Sequence, residues 1–202
     1  MNYPLAPNPV FWTIQGEGHL RGFQMAFIRL AGCSVGCAEC DTDYRVDSRA
    51  TADEIVSRVL LVTPVESRDR WVWITGGEPT DHDLRPLLSS LKSRGYSIAV
   101  ATSGVRRFIP PVDWLSVSPH DIRTTQLYGN EVKLTEGLNR MDPAIWLEVF
   151  PDSRTDFMYR YIQPLWKEGR EDPRSLVRCL RFLREHPNWA LSRQDHKAWN
   201  VP

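Results

Sequence analysis

The chain has 202 residues, enough to bury a substantial core in one domain spanning residues 1–202. Hydrophobic residues make up 42% and charged residues 25%, and Lys+Arg and Asp+Glu stand at 25 each, so the formal net charge is zero. That balance leaves no basic excess to neutralise nucleic-acid phosphates, and no apolar run reaches the length of a membrane span.

In chain order, MNYPLAPNPVFWTIQGEG lacks a basic segment followed by an apolar one, so no signal peptide is expected and the protein should be cytoplasmic. In such a reducing compartment, clustered cysteines bind metal or do redox work more often than they form structural disulfides. MAFIRLAG (25–32) reads as a strand running into a cysteine loop. TADEIVSRVLLV (51–62) sets Ile55, Val56, Val59 and Leu60 at helical spacing, with Thr51 and Glu54 as a capping box. WVWIT (71–75) is a strand ending in the turn GGEP, and LRPLLSSLKSRG (84–95) is an amphipathic helix stopped by Gly95. SIAVATSG (97–104), DWLSVSP (113–119), NEVKLT (130–135), AIWLEVF (144–150) and FMYRYIQP (157–164) are read as strands. RSLVRCLRFLREH (174–186) is a helix behind Pro173, and NWALSRQDHK (188–197) is read as a last strand.

Strands alternating with helices imply an α/β fold with a mainly parallel sheet. The cysteine loop, GGEP, ATSG, SVSPH and IQP each follow a strand's C-terminal end, the edge that carries active sites in βα folds. The stretch from 104 to 130 is too short for full helices, so an incomplete barrel with reduced helices is expected.

The spacing Cys33-x3-Cys37-x2-Cys40 gathers three of the four cysteines on one loop. Structural zinc usually takes four ligands from paired knuckles. Cys179 lies on an apolar helical face with Leu176, Val177, Leu180 and Leu183 and reads as a buried thiol. Three thiolates on a compact loop suit a [4Fe–4S] cluster with one open iron better than zinc. A zinc-stabilised binding module without catalysis stays open as the alternative.

CSVGCAEC and GGEP (Gly76–Pro79) together resemble the two signatures of the radical S-adenosylmethionine (SAM) enzymes. That resemblance implies a partial TIM-like βα barrel, a cluster whose open iron chelates SAM, and reductive cleavage of SAM to a 5′-deoxyadenosyl radical. A glycine pair would let backbone approach the SAM amino group closely, with Glu78 orienting the turn. Further segments are similar, in order, to 7-carboxy-7-deazaguanine synthases of queuosine and deazapurine biosynthesis: TIQGEG (13–18), FIRLAGC (27–33), CDT (40–42), ITGGEP (74–79), ATSG (101–104), SVSP (116–119), IQP (162–164) and LSRQDHK (191–197). Members of that family convert 6-carboxy-5,6,7,8-tetrahydropterin to 7-carboxy-7-deazaguanine with loss of ammonia, using SAM catalytically and Mg2+ as an aid.

By this resemblance Cys33, Cys37 and Cys40 hold the cluster, and Thr42 is the magnesium ligand. Ile14, Gln15, Gly16 and Glu17 line the pterin pocket, Arg29 clamps the substrate carboxylate, and Thr75, His196 and Pro202 face the substrate. Glu39, Cys40, Asp41, Gly77, Glu78, Ser103, Ser118, Pro119, His120, Gln163 and Pro164 fall on the SAM side. A single-electron donor of flavodoxin or ferredoxin type and a homodimer are further implied. Three positions depart from the pattern: Glu39 replaces an aromatic residue, His120 a lysine, and Asp195 a threonine. A radical-SAM activase acting on a partner protein shares the cysteine loop, but would not need QGEG or Thr42.

Overall fold

The computed structural model describes every residue except Met1, Glu39, Asp41, Ile109 and Met141, and leaves out the Arg140 side chain. Strand β1 (Asn2–Ile14) runs antiparallel to β2 (Gln24–Leu30) and to the short edge strand β3 (Ser48–Thr51). Then come α1 (Ala52–Val62), β4 (Trp71–Gly76), α2 (Arg85–Ser93), β5 (Ser97–Thr102), β6 (Trp114–Val117), β7 (Tyr128–Glu136), α3 (Pro143–Val149) and β8 (Asp156–Pro164). The small hairpin of β9 (Trp166–Lys167) and β10 (Arg170–Glu171) leads to α4 (Pro173–Glu185), β11 (Ala190–Leu191) and α5 (Asp195–Trp199).

The main sheet has the order β11-β8-β7-β6-β5-β4-β2-β1-β3, with every neighbouring pair from β11 to β2 parallel. Its edges, β11 and β3, do not pair with each other among the described residues, so the barrel stays open. No helix is described between β5 and β6 or between β6 and β7, the two connections expected to be short. Among the described residues no helix is long and apolar enough to cross a membrane.

The period-2 alternation of strand side chains sorts the two faces of the sheet. Ile28, Leu30, Val72, Ile74, Ile98, Val100, Leu115, Val117, Val132, Leu134 and Ile162 point to the helices and form the main core with Leu87, Leu91, Ile55 and Cys179. The other face holds a smaller aromatic cluster: Met25, Trp73, Ala99 and Trp114 are buried there, with Phe27 and Tyr159 packed against them. His19 stacks on Tyr159 at 3.8 Å and on Trp114 at 5.1 Å between ring centroids. Further along the same face the residues turn polar: Ser116, Glu131, Lys133 and Gln163 are all buried. An aliphatic face toward helices and a polar face toward a cleft are what one alternating pattern produces when both sides of a sheet are used.

The helix over 51–62 forms with its capping box intact: Thr51 Oγ1 accepts from Glu54 N–H, and Glu54 accepts from Thr51 N–H at 2.7 Å. Two expected strands do not form. AIWLEVF is helix α3, because Asp142 caps it by accepting from Ala144 N–H and Pro143 supplies the first helical φ. Its apolar run reads as a strand, yet only Pro143 and Trp146 are fully buried, a one-sided helical pattern. NWALSRQDHK contributes only Ala190–Leu191 to the sheet before turning into the short helix α5. The long first strand, β1, carried too little alternation to be read, since it contains three prolines. It bends at a register irregularity between Leu5 and Val10, where Asn8 takes the left-handed conformation with φ 47°.

Trp146 is the largest fully buried side chain and meets Phe150 at 5.3 Å and Trp189 at 6.5 Å between ring centroids. Trp146→Ala should lose roughly 3–5 kcal/mol of stability in urea titration, the cost of a large core truncation. A strand with that tryptophan at its exposed edge would lose far less.

Candidate active site

Parallel strands deliver their C-terminal ends to one edge, and the loops found there enclose a cleft of about 550 Å³. Cys33, Cys37, Cys40 and Thr42 enter it from the loop after β2, Thr75, Gly77 and Glu78 from β4 and its turn, and Ser103 from the loop after β5. Ser118 and His120 follow β6, Gln163 comes from β8, and His196 and Pro202 from the C-terminal segment. Arg29 lines the wall from β2. Its guanidinium carbon lies 4.7 Å from the Phe11 ring centroid, a cation–π contact.

Ile14, Gln15, Gly16 and Glu17 also line the cleft, although β1 is antiparallel and ends away from the functional edge. The chain after β1 crosses to β7 and β8 instead. Gly18 N–H donates to Ser192 Oγ at 3.0 Å, and His19 N–H donates to the buried Glu131 carboxylate at 2.9 Å. Gly18 has φ 62°, and a Cβ there would meet that carboxylate at 2.5 Å. The C-terminal segment packs on the same loop: Asp195 N–H donates to Gly16 O at 3.1 Å, and a Cβ on Gly16 would meet His196 N at 2.3 Å. Asp195, which stands where a threonine was expected, is buried and ion-paired to Arg21.

The glycine turn is placed by backbone contact. Gly77 N–H donates to Leu30 O at 2.8 Å and Glu78 N–H to Gly32 O at 3.0 Å, so the turn is stitched to the start of the cysteine loop. A Cβ on Gly77 would lie 1.7 Å from Gly32 O, and one on Gly76 2.1 Å from Leu30 O. The room that glycine frees is filled here by the chain's own backbone. Glu78 is 1% exposed and both of its oxygens are engaged. Oε1 accepts from Thr80 N–H (3.0 Å), Thr80 Oγ1 (2.7 Å) and Thr102 Oγ1 (2.6 Å), and Oε2 from Ser103 N–H (2.8 Å) and Ser103 Oγ (2.5 Å). Glu78 and Ser103 therefore bind each other, tying the turn after β4 to the loop after β5. Pro119 and Pro164 are buried and do not line the cleft. The roles expected of Glu39 and Asp41 fall outside the described residues.

Lys133 escaped the sequence reading. It sits in β7 between the buried Val132 and Leu134, and a lone lysine inside an apolar strand was the available signal. It forms a nearly buried ion pair with Glu17, whose side chain also accepts from Gln194 Nε2 at 2.9 Å and Gln163 Nε2 at 3.4 Å. Burial pushes the Glu17 carboxyl up, but the Lys133 and His196 charges and these donors outweigh it and hold it at about 2.

The donor set suits a cofactor built on thiolates. None of the four cysteines is in a disulfide. Burial raises the Cys37 thiol first, and the charges of Cys40 and Cys33 raise it further, so the three sulfurs feel one another. Ionising all three together needs a shared positive centre, which an iron–sulfur cluster supplies. Among the described residues no three His, Cys, Asp or Glu side chains converge on a single-ion cage. Thr42 offers a hydroxyl to a hard cation, while the neighbouring Asp43 carboxylate is taken up by Arg45. Cys179 is buried on α4, away from the cleft, with its thiol pushed up to about 12 by burial.

No family model matches the chain. Curated relatives do. The chain is 32% identical to a 7-carboxy-7-deazaguanine synthase of Escherichia coli (strain K12), with 100% of both chains covered. It is 31% identical to one of Burkholderia multivorans, over 98% of this chain and 99% of that one, and 31% identical to one of Synechocystis sp., over 100% and 94%. Its fold is similar to the crystal structure of QueE from Escherichia coli, with a TM-score of 0.71, 28% sequence identity and 96% of this chain covered against 94% of that chain.

Lys133→Met should cost roughly 3 kcal/mol in urea titration, because it strands a buried carboxylate, and the double variant with Glu17→Gln should recover most of that loss. With a folded value of about 2 against ~4.3 unfolded, Glu17 contributes stability that is complete above the unfolded value. That contribution disappears as pH falls through the folded value. Removing Lys133 raises the folded value, so the acid limb of the variant's stability curve should move to higher pH.

Proposed function

The chain belongs to the 7-carboxy-7-deazaguanine synthase family, and we propose that it performs this reaction on 6-carboxy-5,6,7,8-tetrahydropterin as a radical SAM enzyme. The observation that carries the reading is the meeting of three groups in one cleft: the three loop thiols, the glycine turn stitched to the start of their loop, and a polar wall with Arg29 and Glu17. A module that only bound zinc would need no such wall. A protein-directed activase would need no Thr42 or QGEG loop beside it.

When bound, the cluster and SAM together supply the one-electron cleavage that produces a substrate-abstracting radical. The chain's own residues hold and orient. Cys33, Cys37 and Cys40 serve as thiolate ligands. Arg29, packed on the Phe11 ring, offers two parallel N–H groups to the pterin carboxylate. Glu17 stays ionised at neutral pH, so it acts as an acceptor for pterin N–H groups and not as a proton donor. Gln15 is held by donation from Glu17 N–H to its Oε1 at 3.0 Å, which leaves its amide N–H groups to face the ring. Thr75, His196 and Pro202 border the same space. Thr42 would hold Mg2+ through its hydroxyl, a hard oxygen, beside the substrate carboxylate. Ser118, His120 and Gln163 line the SAM side. A flavodoxin- or ferredoxin-type donor, a homodimer and a cytoplasmic location belong to the same proposal.

Anaerobic reconstitution with iron and sulfide, followed by SAM, reductant and the pterin, tests the reading by product mass and absorbance. Cys37→Ala should abolish both cluster colour and SAM cleavage. A colourless wild-type protein that takes up zinc instead would overturn the proposal. Arg29→Lys should raise KM for the pterin, since a point charge cannot replace the fork. Thr42→Ala should keep the cluster but lose the stimulation of turnover by Mg2+, and undiminished stimulation would remove Thr42 from the metal site.

A further inference from the structure

We propose that His120 and Asn139 set the reduction potential of the cluster by donating hydrogen bonds to the Cys37 thiolate. This rests on the preceding reading, because it concerns the same three thiols. His120 stands at the third position of SPH, where the family pattern places lysine on the SAM side. Here its Nδ1 lies 2.8 Å from Cys37 Sγ. The Asn139 side chain reaches the same sulfur. Asn139 also donates from Nδ2 to His120 O at 3.3 Å and accepts Ala38 N–H on Oδ1 at 3.3 Å. One side chain thus joins the loop after β6 to the cysteine loop. Asn139 holds the left-handed conformation, φ 51° and ψ 29°, that aims it there.

The chemistry decides the direction of donation. A metal-bound thiolate carries no proton, so the contacts persist only if nitrogen supplies the hydrogen. An amide N–H always does, and imidazole does when Nδ1 is the protonated nitrogen. Reduction adds one negative charge to the cluster, and N–H groups aimed at a ligand sulfur stabilise the reduced form more than the oxidised one. Both donors therefore raise the potential, easing entry of the electron that the donor protein delivers.

The test is a redox titration followed by electron paramagnetic resonance, on the reconstituted full chain without SAM. His120→Phe removes the donor but keeps a ring. His120→Asn keeps an N–H close to the place of Nδ1. Asn139→Gly removes the amide and tolerates the left-handed backbone. His120→Phe and Asn139→Gly should each shift the reduction equilibrium on the order of tenfold toward the oxidised form, ~59 mV more negative for one electron. His120→Asn should stay near the wild-type value, a pattern that a merely structural role would not produce. An unshifted potential in His120→Phe, or one that moves equally in His120→Asn, overturns the inference. If His120→Phe fails to hold a cluster, Asn139→Gly decides alone, and an unchanged potential there overturns it. A wild-type chain that takes up no cluster overturns the proposed function itself, and this inference with it.

Discussion

The buried carboxylate of Glu78 is the contact on which the site depends. Loops at the end of a parallel sheet have no reason of their own to stay together, because each belongs to a different strand. Glu78 removes that freedom by accepting five hydrogen bonds from Thr80, Thr102 and Ser103. Its own N–H is bound to Gly32 at the start of the cysteine loop. Leaving a buried carboxylate short of donors is costly, so these groups order one another. The glycine pair makes this possible, since any Cβ on Gly77 would collide with Gly32 O.

A second constraint is how the sheet divides its faces. Aliphatic side chains on one side pack on α1, α2 and α4, and this core supports the strands without entering the cleft. The concave side is free to grade from aromatic to polar. On β5 the small Ala99 is buried between Trp73 and Trp114, and Ala101 packs against the same cluster. The aromatic cluster around His19 fills one end, and the polar residues gather toward the strand ends. The Lys133–Glu17 pair lies on this concave side and pins the QGEG loop, which β1 could not have brought to the cleft by its direction alone.

The departures from the family pattern have local physical accounts where the structure describes them. Asp195 is a buried acid with its own arginine, Arg21, so it anchors the C-terminal segment against the QGEG loop. His120 has its ring nitrogen Nδ1 at 2.8 Å from the Cys37 sulfur. A histidine at this position thus makes a short polar contact with that sulfur.

The sequence by itself determined the parallel α/β architecture, strands β2 and β4 to β8, three of the helices, and about half of the residues that line the cleft. Those features are local: alternation at period 2 or 3.6, a capping box, and ligand spacing on a single loop all act within a few residues. It misjudged α3 and the end of the chain, where apolar runs fit either element and a cap decided. Only the tertiary structure decided the partners of Glu78, the pairing of Lys133 with Glu17, the entry of QGEG from an antiparallel strand, and the contact of His120 with Cys37. Apart from the bonds of Glu78 to Thr80, each of these joins groups far apart in the chain, from 24 residues between Glu78 and Thr102 to 174 between Gly18 and Ser192. Their energies come from burial shared by several strands, and no local pattern records which strands will share it.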